Sequence, residues 1–133
     1  VDEALARREP GMVLELPFGY RDGFGMRGRF DEVALLGQTV HRKPIVGGFL
    51  ARVPPAVDDL YQHNVTIDSF RRISAGQNAA GPSCEHALAD LRAAGVRYVI
   101  VAASYSQSVK GLPLVRLLDE GGQALYELGS DCP

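Results

Sequence analysis

The plainest periodicity in the chain lies in its C-terminal half. Cys84, Ala87, Leu88, Leu91 and Ala94 repeat at helical spacing after Ser83, a helix-capping residue type, and Gly95 supplies a stop. VRYVIVAA, residues 96–103, is a nearly continuous apolar run rich in β-branched residues, which predicts an interior strand covered on both faces. Pro113 then opens a predicted helix with Leu114, Val115, Leu117 and Leu118 inward; Gly121-Gly122 ends it, and residues 123–128 form a last strand. Helix, strand, helix, strand in that order implies right-handed crossovers and parallel pairing.

The N-terminal half is more broken. Residues 2–9 predict a short helix with acids in its first turn, stopped by Pro10-Gly11, and MVLELP (12–17) predicts a strand ended by Pro17. Residues 19–28 are glycine-rich and read as a loop. Asp31 is placed to cap a helix running to about Val40, although Gly37 weakens it. KPIVGGFLARVPP (43–55) has a short extended core, residues 56–73 read as two short helices with Thr66 or Asp68 near the start of the second, and AGQNAAGP (75–82) is a connection. The expected fold is a small three-layer α/β open sheet, mostly parallel, with helices on both faces.

A length of 133 residues fits that single domain, and 46% hydrophobic with 23% charged residues is the balance of a folded protein. No apolar run approaches the roughly 20 residues that span a bilayer. The chain opens on Val1 without a basic-then-apolar leader and reads as a piece of something longer. A net charge of -2 argues against bulk binding of nucleic acid. The charge is uneven, however: residues 21–52 hold six bases against three acids. Those bases are Arg21, Arg27, Arg29, Arg42, Lys43 and Arg52, mostly Arg, whose planar fork suits phosphate or carboxylate.

In an open parallel sheet, ligands bind beyond the carboxyl ends of the strands. Two candidate segments fall there. The first is an anion loop carrying Arg21, Gly23, Gly25, Arg27, Gly28 and Arg29; the second is a polar loop carrying Ser104, Tyr105 and Ser106. Gly23, Gly25 and Gly28 spell G-x-G-x-x-G, but Pro17 separates them from the strand, bulky Phe24, Met26 and Arg27 fill the variable positions, and no second strand ends in a suitably spaced acid. A nucleotide cofactor is therefore not expected. The histidines at 41, 63 and 86 have no two at i, i+4 and give no zinc signature, and an acyl-transfer G-x-S-x-G is missing.

VLELPFGYRDGFG, followed by LLGQTVHRKPIVGGFLARVP and later LRAAGVRYVIV, resembles the C-terminal soluble region of polytopic bacterial membrane proteins. These are similar to the dolichyl- or polyprenyl-phosphate-dependent glycosyltransferases of the GT-C class. The resemblance covers roughly residues 10–128, and its distinctive part is the string Q-T-V-H-R-K-P-I-V-G-G. It implies an extracytoplasmic domain whose partner is the transmembrane part of the same parent chain, with the catalytic acids upstream and none on these residues. The residues that match are Gln38, Thr39, His41, Lys43, Pro44, Gly47, Gly48 and Arg52. Of these, Pro44 and the glycines set backbone shape; an architectural role is the first expectation for the whole string, and contact of His41, Lys43 and Arg52 with a lipid-linked sugar phosphate or lipid headgroups is the second.

Two cysteines are too few for a disulfide scaffold, so free thiols are the default. The predicted topology nevertheless puts Cys84 and Cys132 at the same carboxyl edge, where a bridge can close, and the sequence leaves both states open. Two functional expectations follow. One is a non-catalytic accessory domain of a glycosyltransferase-like membrane protein. The other is a free-standing α/β enzyme or binding protein for a phosphorylated ligand, using the 19–29 loop.

Overall fold

In the computed structural model, the residues described are 1–21, 26–29, 33–49, 55–77 and 81–132. The chain begins with α1 (Asp2–Ala6) and β1 (Met12–Leu16), followed by β2 (Gly19–Arg21), β3 (Met26–Gly28) and α2 (Val33–His41). Next come β4 (Gly48–Phe49), α3 (Pro55–His63), α4 (Val65–Ser74) and α5 (Cys84–Ala93). Last come β5 (Val96–Ala102), a 3-10 segment (Ala103–Val109), β6 (Leu114–Glu120) and β7 (Gln123–Leu128).

The main sheet has the order β1-β5-β7-β6. Its β5 is the interior strand that the apolar run predicted, with one neighbour parallel and one antiparallel. Leu14 faces Val99 and Leu16 faces Val101 in the parallel pair with β1, whereas Tyr98 faces Glu127 in the antiparallel pair with β7. Alternation then sorts the side chains. Leu14, Leu16, Val99 and Val101 meet Ile67 and Phe70 of α4 and Ala87 and Leu91 of α5 on one face. Val13, Tyr98, Ile100 and Leu125 line the other, under Leu5 of α1.

The expectation of a mostly parallel three-layer sheet is wrong. Only β1 and β5 pair in parallel in the main sheet, because residues 114–120 form a strand rather than a helix. The spacing of Leu114, Val115, Leu117 and Leu118 imitates a helix, since β6 is an edge strand whose register shifts between Arg116 and Leu118 and so breaks the period of two. Gly121 and Gly122, at φ +61° and +79°, make the two-residue turn of a β-hairpin. The glycine pair read as a helix stop is this turn.

Residues 19–28 are likewise not one loop. The described parts form β2 and β3, paired antiparallel, and β4 joins β2 in parallel to complete a second sheet of order β3-β2-β4. Strands of two or three residues are too short to show alternation. The two helices expected in 56–73 are α3 and α4, but the cap of α4 is Asn64, which accepts the Ile67 N–H at 3.1 Å. Ser83 caps α5 as read, accepting from His86 N–H.

Cys84 and Cys132 form a disulfide with a Cα–Cα distance of 5.9 Å. The route differs from the one expected, because β7 runs antiparallel to β5 and ends beside that strand's beginning. The tail after β7 reaches Cys84 past the end of α5, where the Arg92 guanidinium donates to Ser130 O at 3.1 Å. The bridge closes a separation of 48 residues. Reduction, or Cys84→Ser, is expected to cost about 4 kcal/mol on chain-entropy grounds. Thermal melts with and without reductant check this, and an unchanged midpoint would deny the bridge a stabilising role.

Candidate functional site

The Q-T-V-H-R-K-P-I-V-G-G string begins on α2 and ends in β4. Its first half folds back on itself. His41, the last residue of α2, accepts the Lys43 backbone N–H on Nδ1 at 3.0 Å, and the Gln38 amide donates to Lys43 O at 3.1 Å. Arg42 between them takes φ 57°, the left-handed conformation that reverses the chain at a helix end. Lys43 is thereby turned inward. Its Nζ donates to Arg8 O at 3.0 Å and lies 5.8 Å from the centre of the Tyr98 ring, and the residue is only 6% exposed.

The second half joins the two sheets. Val13 of β1 donates its N–H to Pro44 O at 2.8 Å and accepts the Val46 N–H at 2.9 Å. Two residues further on, Gly48 pairs with Tyr20 of β2. Between them Gly47 sits at φ +82° and donates to the Tyr61 hydroxyl of α3 at 3.1 Å. A Cβ there would lie 2.5 Å from Gly19 O and 2.8 Å from the Phe18 ring, so only glycine fits. The rings of Phe18, Tyr20 and Tyr61 pack together behind this point, with Tyr20 and Tyr61 centroids 4.9 Å apart.

His41 and Lys43, which the sequence leaves between an architectural role and contact with an anionic ligand, are both buried, and Lys43 is committed to the backbone. Thr39 is exposed, but its hydroxyl donates to Leu36 O one turn back, at 2.6 Å. Arg52, Gly23 and Gly25 lie outside the described residues. Arg21 and Arg27 are placed only through their backbones, in β2 and β3, and Arg29 is exposed just after β3. Gly28, at φ +74°, packs its Cα face against Phe18 O, where a Cβ would come within 2.4 Å. The glycines that suggested a phosphate loop therefore include at least one that shapes a hairpin.

The polar loop also changes character. Ser104 and Ser106 are exposed on the 3-10 segment, while Tyr105 packs against the larger core. Ser106 lines a groove of about 180 Å³ with Arg116, Asp119, Gln123 and Tyr126. Its charges serve each other: Arg116 pairs with Asp119 at 3.0 Å and lies over the Tyr126 ring at 5.8 Å. A more apolar groove of about 220 Å³ beside Val46 is lined by Leu60, Tyr61 and Ile67, and the Tyr61 hydroxyl there already accepts from Gly47.

One cluster was invisible in the sequence. A ring nitrogen of His41 and one oxygen each of Asp2 and Glu15 lie within 4.8 Å of one another, from residues widely separated along the chain. Gly37, one turn before His41, lets Asp2 approach α2, where a Cβ would stand 2.8 Å from the carboxylate. With Nδ1 accepting from Lys43, the neutral ring carries its proton on Nε2, which is buried without a partner among the described residues. The one in-plane lone pair of the neutral ring is thus taken by the Lys43 N–H, while the Nε2 proton blocks the other nitrogen, which suits a structural histidine better than a metal ligand. Burial pushes the His41 pKa below its ordinary value; the Asp2 carboxylate opposes this and the Lys43 ammonium adds to it.

No family model, curated protein or solved structure matches this chain.

Gly47→Ala is expected to destabilise by roughly 1–3 kcal/mol in denaturant titrations, from the forced left-handed backbone and the overlap with Gly19 O. The depressed His41 pKa sets a second expectation. The unfolded chain takes up its proton near pH 6.5 before the folded chain does, so stability is level above that pH and falls as acid is added. His41→Asn, which retains an acceptor for Lys43 N–H, should flatten the fall between neutral pH and pH 5.5. An unaltered slope would assign it to other groups.

Proposed function

We infer that this chain is a non-catalytic, extracytoplasmic domain of a glycosyltransferase-like polytopic membrane protein, packed on the transmembrane part of its parent. The observation that carries the reading is the fate of the resemblance-bearing string. Gln38, His41, Lys43, Pro44, Val46, Gly47 and Gly48 are all spent on backbone joins between α1, α2, α3, β1 and β2. A string so used builds a scaffold and leaves chemistry to the rest of the parent. Of the string's described cations, Lys43 is turned inward to the Arg8 carbonyl and is not free to meet a lipid-linked sugar phosphate, whereas Arg42 is exposed.

The Cys84–Cys132 bridge supports the extracytoplasmic placement, since such bonds persist in oxidising compartments. No helix among the described residues is long and apolar enough to cross a membrane, so the reading assigns the spans to the parent. The complete gene tests this directly. It is expected to encode upstream hydrophobic segments of about 20 residues each, and a complete gene lacking them overturns the reading.

A further inference from the structure

Residues 41–43 combine a titratable acceptor, a strained residue and a buried cation. His41 is 2% exposed, and its Nδ1 takes the Lys43 N–H at 3.0 Å. A neutral imidazole has one acceptor nitrogen, whereas an imidazolium has none. A proton arriving from solvent can therefore bind only at Nδ1, where it displaces the Lys43 N–H and leaves two donors facing each other. The neutral ring is not fully satisfied either, because its Nε2 N–H is buried without a partner among the described residues.

Arg42 between the two holds φ 57°, a left-handed conformation unfavourable to a residue with a Cβ. Two side-chain bonds clasp Lys43 around it: His41 Nδ1 on the Lys43 N–H, and the Gln38 amide on Lys43 O. The turn is anchored on both sides. Arg42 donates its N–H to Gln38 O at 2.8 Å, and Val13 holds Pro44 O and the Val46 N–H. Loss of the His41 bond is thereby confined to residues 41–43.

Three charged groups face the ring. Asp2 of α1 and Glu15 of β1 each place a carboxylate oxygen within 4.8 Å of a ring nitrogen, and both favour an imidazolium. The Lys43 ammonium, just beyond α2, opposes it. Burial is the largest influence on His41 and sets its protonation below the ordinary histidine range. We propose that residues 41–43 are a pH-operated latch: protonation of His41 expels the Lys43 N–H, opens the left-handed turn and releases the Lys43 ammonium from the Arg8 carbonyl. The imidazolium and the ammonium then repel each other, which keeps the latch open. At neutral pH the string is closed over one buried cation, and in acid it presents two beside α1 and β1. This change occurs within the folded domain, apart from the unfolding equilibrium that His41 also biases, and it does not depend on the membrane-protein reading.

Amide hydrogen exchange of the unaltered chain, followed residue by residue by NMR and corrected for the intrinsic rate, reads the latch. Between about pH 7.5 and about pH 5, a range that spans histidine but not carboxylate titration, Lys43 should lose protection. The loss is expected to exceed that at the Val46 N–H by about tenfold, the worth of one backbone hydrogen bond. The Lys43 amide nitrogen shift should titrate with the same midpoint as the His41 ring nitrogens. His41→Asn removes the titrating ring and should make Lys43 protection, relative to Val46, independent of pH. Should that variant not fold, Asp2→Asn should move the ring and Lys43 midpoints down together. Four results overturn the proposal: Lys43 protection that does not change with pH; a loss at Val46 as large as that at Lys43, which would make the opening global; a Lys43 midpoint apart from that of the ring; or a pH dependence that survives His41→Asn, which would assign it to Asp2 or Glu15.

Discussion

The fold depends on a pair of hydrogen bonds at one residue. Val13 gives its N–H to Pro44 and takes the N–H of Val46, which fastens the edge of the main sheet to the segment that continues into the second. Everything on the N-terminal side of α3 is referenced to this join. It fixes where α2 ends, which backbone β4 can reach and how the Phe18–Tyr20–Tyr61 rings come together. Main-chain groups at a sheet edge must be satisfied somewhere, and here an irregular segment supplies the partners that a regular strand would otherwise provide.

The burial of Lys43 follows from the same constraint. Once Arg42 reverses the chain and Val13 holds Pro44, the Lys43 side chain is carried over the end of α1. There its ammonium finds the Arg8 carbonyl and the face of Tyr98. A buried ammonium is tolerable only with such partners. The neutral state of His41 fits this setting, since a second cation beside Lys43 would have to be desolvated as well. The string therefore holds one interior charge, and the proton on its histidine is assigned by a backbone donor.

Legibility in the sequence tracked the length and burial of each element. β5 and α5 were readable because each is long and has a full apolar pattern, and the Ser83 cap and Gly95 stop bracket α5. β6 does not show as a strand in the sequence because an edge strand with a shifted register has no clean period, and its leucine spacing imitates a crossover helix where the structure has an antiparallel hairpin. Gly121-Gly122 carried the right signal for a hairpin, but also for a helix end, and the neighbouring leucines tipped the choice. For the site, residue types alone could not distinguish a basic string facing solvent from one folded inward. The deciding contacts, Lys43 with Arg8 and His41 beside Asp2 and Glu15, join residues more than 25 positions apart.

The disulfide has a topological consequence. By linking the first residue of α5 to the tail beyond β7, it makes α5, β5, β6 and β7 a closed covalent ring, joined to the preceding residues through Cys84 and to the following ones through Cys132. Tension applied between residues before Cys84 and residues after Cys132 passes along the backbone to Cys84 and across the bridge, leaving the ring's backbone slack. A single cut in the exposed 3-10 segment would leave both pieces tied together. The covalent load path thus bypasses the interior strand, which meets the N-terminal side only through its hydrogen bonds with β1 and its packing.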